Sequence, residues 1–270
     1  MTTGFLENDG GKIAYEEVGS GPLAVCIPGM GDVRGEYRFL GPQLTAAGFR
    51  AVSLDVRGHG ESSVGWADYS VAGVGSDVVA LIRKLEAGPA FIIGTSMGGG
   101  AAVWAAAEIP ELVRGLVLID PFVRGAVQGL GRLLYRLLLS RPWGPALWPA
   151  YYGMLYPTRQ PDDFREYRAA LKANLAQPGR VEALLQMMLA SKLASEQRLP
   201  AVKAPTLVVM GSRDPDFENP ETEAQRAAQS LRGRYEMVSG AGHYPHAEMP
   251  EVTGPLVVSF LSSLTTGDSK

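Results

Sequence analysis

The chain has little of what covalent frameworks and charged binding faces are built from. Only one of its 270 residues is cysteine, so no internal disulfide can form and nothing calls for an oxidising compartment. Cys26 lies in the apolar run 23–27, where a thiol behaves as a small hydrophobe and has no neighbour that would lower its pKa. Neither sign of charge dominates. Lys and Arg total 25 against 28 Asp and Glu, a net charge of -3, with the charges mixed along the chain. That balance lacks the basic patch of a nucleic-acid binder and the charged tail of an electrostatic partner. No apolar run approaches the roughly 20 residues of a membrane span. Residues 1–11 carry acidic side chains and lack the apolar core of a secretory signal. A cytoplasmic protein is expected, without a nucleic-acid partner or stable membrane insertion; oligomeric state is not encoded in any recognisable way. Histidine is scarce too, at three residues, which narrows the search for a general base.

What is abundant is core-forming material. Hydrophobic residues make up 46% of the chain, enough for one large α/β domain with an insertion. Short apolar runs at 23–27, 90–94 and 116–119 read as strands buried on both faces, and 50–54 as a further strand. A weaker alternation marks a strand at 12–18. Helical spacing covers 36–47, 71–85 and 97–108, and strand and helix alternate as in a mostly parallel sheet with helices on both faces. Between Asp120 and Pro200 that rhythm stops. Only helical patterns appear there, at 130–139, 145–155, 162–176 and 181–193, with Trp143, Trp148, Tyr151, Tyr152 and Tyr156 among them. Strands at 206–210 and 235–238 and helices at 220–231 and 252–264 complete the alternation. The expected division is a core of 1–121 and 199–270, interrupted by a helical segment, 122–198.

Gly94-Thr95-Ser96-Met97-Gly98 fits Gly-x-Ser-x-Gly between a buried strand and a helix. The serine must stand on a tight, strained turn, and side chains at the flanking positions would collide with neighbouring backbone. The hydroxyl would then project over the carboxyl ends of the strands, beside the positive end of a helix. A serine hydroxyl needs a base. His243, in the glycine loop Gly240-Ala241-Gly242-His243, can carry an imidazole across the top of the sheet. His59 lies in a turn with a structural explanation of its own, and His246 suits the start of the last helix. Neither a metal-ligand pattern nor a phosphate-loop glycine pattern is present, so no metal and no cofactor are expected. Asp214, in the turn after 206–210, is the candidate acid, with Asp216 and Glu218 as neighbours and Asp120 as the serious competitor.

The order Ser96, Asp214, His243 resembles the α/β-hydrolase superfamily. Asp55-Val56-Arg57-Gly58-His59-Gly60-Glu61-Ser62 is similar to the family's Asp-x-Arg-Gly-x-Gly-x-Ser turn. The segment from Gly242-His243 to Glu248-Met249-Pro250-Glu251 resembles its Gly-His-x-x-x-x-Glu-x-Pro-Glu ending. The resemblance covers nearly the whole chain outside 122–198. It implies an eight-stranded, mostly parallel sheet with an all-helical cap, and a serine esterase or lactonase. It also implies an oxyanion hole from the backbone amides of Met30 and Met97, although Pro28-Gly29-Met30 stands where the family usually has His-Gly-x. Trp143, Trp148 and Tyr152 are the expected substrate-binding residues of the cap. The expected function is hydrolysis of a small-molecule carboxylic ester through an acyl-enzyme. Alternatives are a lactonase, including one for acyl-homoserine lactones, and a receptor that binds a small molecule without turnover. Asp120 as the working acid would bring a cofactor-free oxygenase relative into view.

Overall fold

The computed structural model describes residues 3–125, 129, 133–134, 136–137 and 143–265. Eight strands form one sheet: β1 (Thr3–Asn8), β2 (Gly11–Val18), β3 (Leu23–Ile27), β4 (Arg50–Leu54), β5 (Ala90–Thr95), β6 (Val113–Ile119), β7 (Thr206–Gly211) and β8 (Arg234–Val238). Their order is β1-β2-β4-β3-β5-β6-β7-β8. β1 and β2 join antiparallel, as do β2 and β4, and every later pairing is parallel. Every residue of β3, β5 and β7 is buried, because helices cover both faces there. On one face the helices Val71–Leu85 and Met97–Glu108 bury Val74, Val78, Leu81 and Ala102 against Val25, Ile92 and Leu118. On the other, Leu40–Ala46 and Pro250–Thr265 bury Leu44, Val257 and Leu261 against Ile93, Val117 and Val209.

The mostly parallel eight-stranded α/β architecture expected from sequence is the one observed. Three elements differ in detail. The strand β1 went unrecognised: as the edge strand it buries only Leu6, so no apolar alternation marks it. The helix expected over 36–47 is a 3-10 turn, Arg34–Tyr37, followed by Leu40–Ala46. Pro42 lacks the N–H that an interior position would use, and Leu40–Ala46 places it in the first turn, where that N–H is not needed. The helix expected over 181–193 ends at Leu189, and a short turn of helix follows at Leu193–Glu196.

Between β6 and β7 the chain forms Gly144–Met154, Phe164–Ala176 and Arg180–Leu189. The helix expected over 130–139 lies largely outside the described residues. These helices hold small cores of their own over the sheet's carboxyl edge, one of which packs Tyr152, Tyr156 and Phe164 on Tyr244. Among the described residues no helix is long and apolar enough to cross a membrane. The connections leave β3 in one direction, toward β4, and β5 in the other, toward β6. Such a reversal opens a crevice beyond the strands' carboxyl ends, and ligands of open α/β sheets bind there.

Candidate active site

Ser96 caps the helix Met97–Glu108 directly after β5, with φ 55° and ψ -123°. That left-handed backbone is strained for any residue with a Cβ, and the surrounding packing holds it. A Cβ on Gly98 would lie 2.3 Å from the Ile27 carbonyl oxygen, and one on Gly94 would lie 2.4 Å from the Gly98 carbonyl oxygen. Both collisions are with backbone that cannot yield, so both glycines are obligatory for the turn.

His243 is buried on the loop after β8, and its Nδ1 donates to Asp214 Oδ2 at 2.6 Å. The proton on Nδ1 leaves Nε2 as the acceptor. Burial alone would lower the His243 pKa, but the Asp214 charge and hydrogen bond outweigh it, and the net direction is upward. The carboxyl of Asp214 moves the opposite way. Burial would raise it, yet the facing imidazole holds it below the ordinary value. Asp216 lies farther off, 3.8 Å from His243 Nδ1, and accepts from the Tyr151 hydroxyl. Glu218 is exposed.

Asp120 is buried behind this pair. Its Oδ1 accepts from the Gly211 amide at 2.9 Å, while Oδ2 finds no donor among the described residues. Burial and the Asp214 charge push the Asp120 carboxyl well above its usual range. A proton retained on Asp120 and donated to Asp214 satisfies both carboxyls, as expected for two acids too close to ionise together. Asp120, Asp214 and His243 have potential metal-ligating atoms within 4.8 Å of one another. The contact between Asp214 and His243 already engages the two strongest of those donors, and a neutral Asp120 is a weak ligand, so the donor set suits a proton better than a cation.

Ser96 and His243 line one cavity of about 620 Å³, with Met30, Phe122, Trp148 and Tyr151 on its walls. The Ser96 hydroxyl makes no hydrogen bond among the described residues, His243 included. Such contacts are often loose before substrate arrives. The Met97 amide belongs to the first turn of its helix, where N–H groups have no intrahelical acceptor. Among the described residues no turn or loop acceptor takes the Met30 amide either.

The loop carrying Met30 is held by residues that sequence reasoning left out. Gly29 donates its amide to Glu36 at 2.8 Å, and Gly31 donates its amide to His59 Nε2 at 3.1 Å. His59 Nδ1 lies 2.9 Å from the Arg57 carbonyl, so the ring is neutral with its proton there. Burial pushes His59 down to about 4. Burial raises Glu36 to about 7 and lowers His246 to about 3, and His246 Nε2 lies 3.1 Å from Glu36 Oε1. His59 is thus a positioning residue for the loop. Replacing it with phenylalanine is expected to lower kcat roughly 10²-fold through a displaced Met30 amide. It should also destabilise the fold by about 1–3 kcal/mol through a buried, unsatisfied Gly31 amide. Steady-state kinetics and urea unfolding check the two parts. In the native protein the His59 contribution is complete above 6.5 and lost as pH falls through about 4, because a protonated ring cannot accept from Gly31.

Of the aromatics expected to contact substrate, only Trp148 lines the cavity. Trp143 is 55% exposed at the start of its helix, with Nε1 turned to the Leu137 carbonyl. Tyr152, about 100° round the same helix from Tyr151, is fully buried and donates to Asp32 at 2.8 Å. Trp148, Tyr151 and Leu155 share the cavity face because they recur at helical spacing.

A model of the alpha/beta hydrolase family matches residues 24–254. The chain belongs to that family. It is similar to 2-(acetamidomethylene)succinate hydrolase of Mesorhizobium japonicum, 28% identical over 264 residues, covering 92% of this chain and 90% of the relative. Among solved structures it is similar to a hydrolase from Pseudomonas aeruginosa PA01, 25% identical with a TM-score of 0.81, covering 96% of this chain and 98% of that one. A thermophilic esterase from Thermogutta terrifontis shares the fold, with 23% identity, a TM-score of 0.78, and coverage of 98% and 99% of the two chains. The chain is therefore an α/β hydrolase by family, with hydrolases and an esterase as neighbours.

Proposed function

We propose that this α/β hydrolase cleaves carboxylic esters through an acyl-enzyme on Ser96. The observation that carries the proposal is the 2.6 Å contact of His243 Nδ1 with Asp214, on a ring that shares its cavity with a serine at φ 55°. Ser96 Oγ attacks the ester carbonyl while His243 Nε2 takes its proton. Asp214 fixes the ring and stabilises the imidazolium. The Met30 and Met97 amides receive the developing oxyanion, each such donor being worth roughly 10²–10³ in rate. His243 returns the proton to the leaving alcohol, then activates water, which attacks the acyl carbonyl and frees the acid. Residues 122–198 act as a cap that roofs the cavity, excludes water and contributes Trp148 and Tyr151 to its wall.

The test is turnover of p-nitrophenyl esters from acetate to decanoate, with a lactone panel beside them, on wild type and Ser96→Ala. Serine-dependent turnover of the linear esters supports the proposal, and the chain-length profile sizes the cavity. Lactones turned over far better than esters would make the protein a lactonase on the same residues. Absence of turnover on every substrate would sink the ester-hydrolase proposal and favour a receptor.

A further inference from the structure

The cavity over Ser96 is walled mostly by apolar side chains, among them Phe122, Leu147, Trp148 and Met188. One of its lining residues is a lysine. Lys192 follows the helix Arg180–Leu189, and its backbone is pinned there. Its amide donates to the Gly125 carbonyl at 3.0 Å, and its carbonyl accepts from the Ser195 and Glu196 amides. The residue is only 7% exposed. Among the described residues no carboxylate, hydroxyl or carbonyl takes its ammonium. Residues 126–142, which follow Gly125 in the chain, include no Asp or Glu. Desolvation by burial lowers its pKa, and no neighbouring charge offsets that. The acidic residue on the same cavity wall, Asp216, is engaged with Tyr151 and sits beside His243.

A lysine this buried is ordinarily paired, because an isolated ammonium is expensive to take out of water. A cation kept without a partner in an apolar cavity is a partner for a ligand. It distinguishes substrates by charge, since a neutral chain leaves it unpaired and an anionic one satisfies it. Resting on the ester-hydrolase proposal above, we propose that Lys192 binds a carboxylate on the non-reacting part of the substrate, so that the preferred substrates are half-esters of carboxylate-bearing compounds rather than simple alkyl esters.

The test pairs substrates of equal length that differ in charge. Mono-p-nitrophenyl adipate against p-nitrophenyl hexanoate places the carboxylate on the acyl side. The hexanoyl ester of 4-hydroxybenzoate against phenyl hexanoate places it on the alcohol side. In wild type, kcat/KM should favour the charged member of at least one pair. Lys192→Met should reduce that preference roughly 10- to 100-fold, the span of a lost charge-assisted hydrogen bond, and Lys192→Arg should keep most of it. Lys192→Gln carries the same readout if the methionine variant fails to fold. Equal losses on both members of each pair, or a wild-type preference for the neutral esters, would overturn the proposal. Binding separates its failure from that of the ester proposal. Ser96→Ala should bind uncleaved monomethyl adipate, by calorimetric titration, and the double variant with Lys192→Met should bind it roughly 10- to 100-fold more weakly. Lysine-dependent binding without any turnover would remove the ester chemistry and keep the carboxylate site. Turnover with lysine-independent binding would do the reverse.

Discussion

Replacing Ser96 by alanine is expected to lower kcat on a p-nitrophenyl ester by roughly 10⁴- to 10⁶-fold, with folding stability left within about 0.5 kcal/mol of wild type. The two halves of that expectation have separate causes. The rate falls because nothing nearby replaces the hydroxyl. Cys26 is fully buried in β3, and desolvation pushes its thiol up to about 12, so it supplies no thiolate. Stability holds because the Ser96 hydroxyl forms no hydrogen bond among the described residues whose loss would be felt. Alanine at φ 55° carries a Cβ as serine does, so the strain of the turn is the same before and after. The residual rate over water would come from the cavity, the oxyanion amides and His243. Thermal melting and stopped-assay kinetics on one preparation measure both halves. A variant that keeps more than a small fraction of wild-type kcat would mean that His243 activates water directly and that no acyl-enzyme forms.

The parts of this site that were legible in sequence are those set by local backbone geometry. Gly94, Ser96 and Gly98 are fixed by contacts among β3, β5 and the first turn of the following helix, and a strained strand-to-helix turn leaves a pattern five residues long. The buried strands were legible because two-sided burial demands an unbroken apolar run. The edge strand β1 meets no such demand. What could not be read were contacts between residues far apart in the chain. The support that His59 gives to the Gly31 amide crosses 28 positions and depends on a neutral ring, which the sequence does not show. Helix phase explains the aromatic misplacement. Tyr151 and Tyr152 are adjacent in sequence and so face about 100° apart on a helix, one toward the cavity and one toward Asp32. Lys192 left no signal, because a single lysine in a polar stretch ordinarily belongs to the surface.

The choice between Asp214 and Asp120 was equally closed to sequence, since both follow strand ends, and the geometry turns it into a prediction with a large difference. Asp214→Asn is expected to lower kcat roughly 10⁴-fold, because the amide no longer accepts from Nδ1 and the ring loses its tautomer and its stabilising charge. The pH profile should move as well. The His243 pKa is raised above 6.5 in the native protein because the charge and hydrogen bond of Asp214, with smaller upward effects of Asp216 and Glu36, outweigh burial. The acid limb of kcat/KM should therefore lie above 6.5 in wild type and shift to lower pH in Asp214→Asn, where burial acts against a weaker opposing charge from Asp216 at 3.8 Å. Asp120→Asn should behave differently. An amide replaces a carboxyl that is already neutral, its oxygen can still accept from Gly211, and its nitrogen can donate to Asp214, so a change within about tenfold in kcat is expected. Its effect belongs to stability. A carboxyl whose folded pKa is raised contributes fully below its unfolded value near 3.8 and loses that contribution as pH rises through the folded pKa. Removing the titration should make Asp120→Asn progressively more stable than wild type, by urea midpoint, as the buffer is taken from acid to alkaline. If instead Asp120→Asn loses activity as heavily as Asp214→Asn, then Asp120 is ionised in the working enzyme and shares the duty of acid.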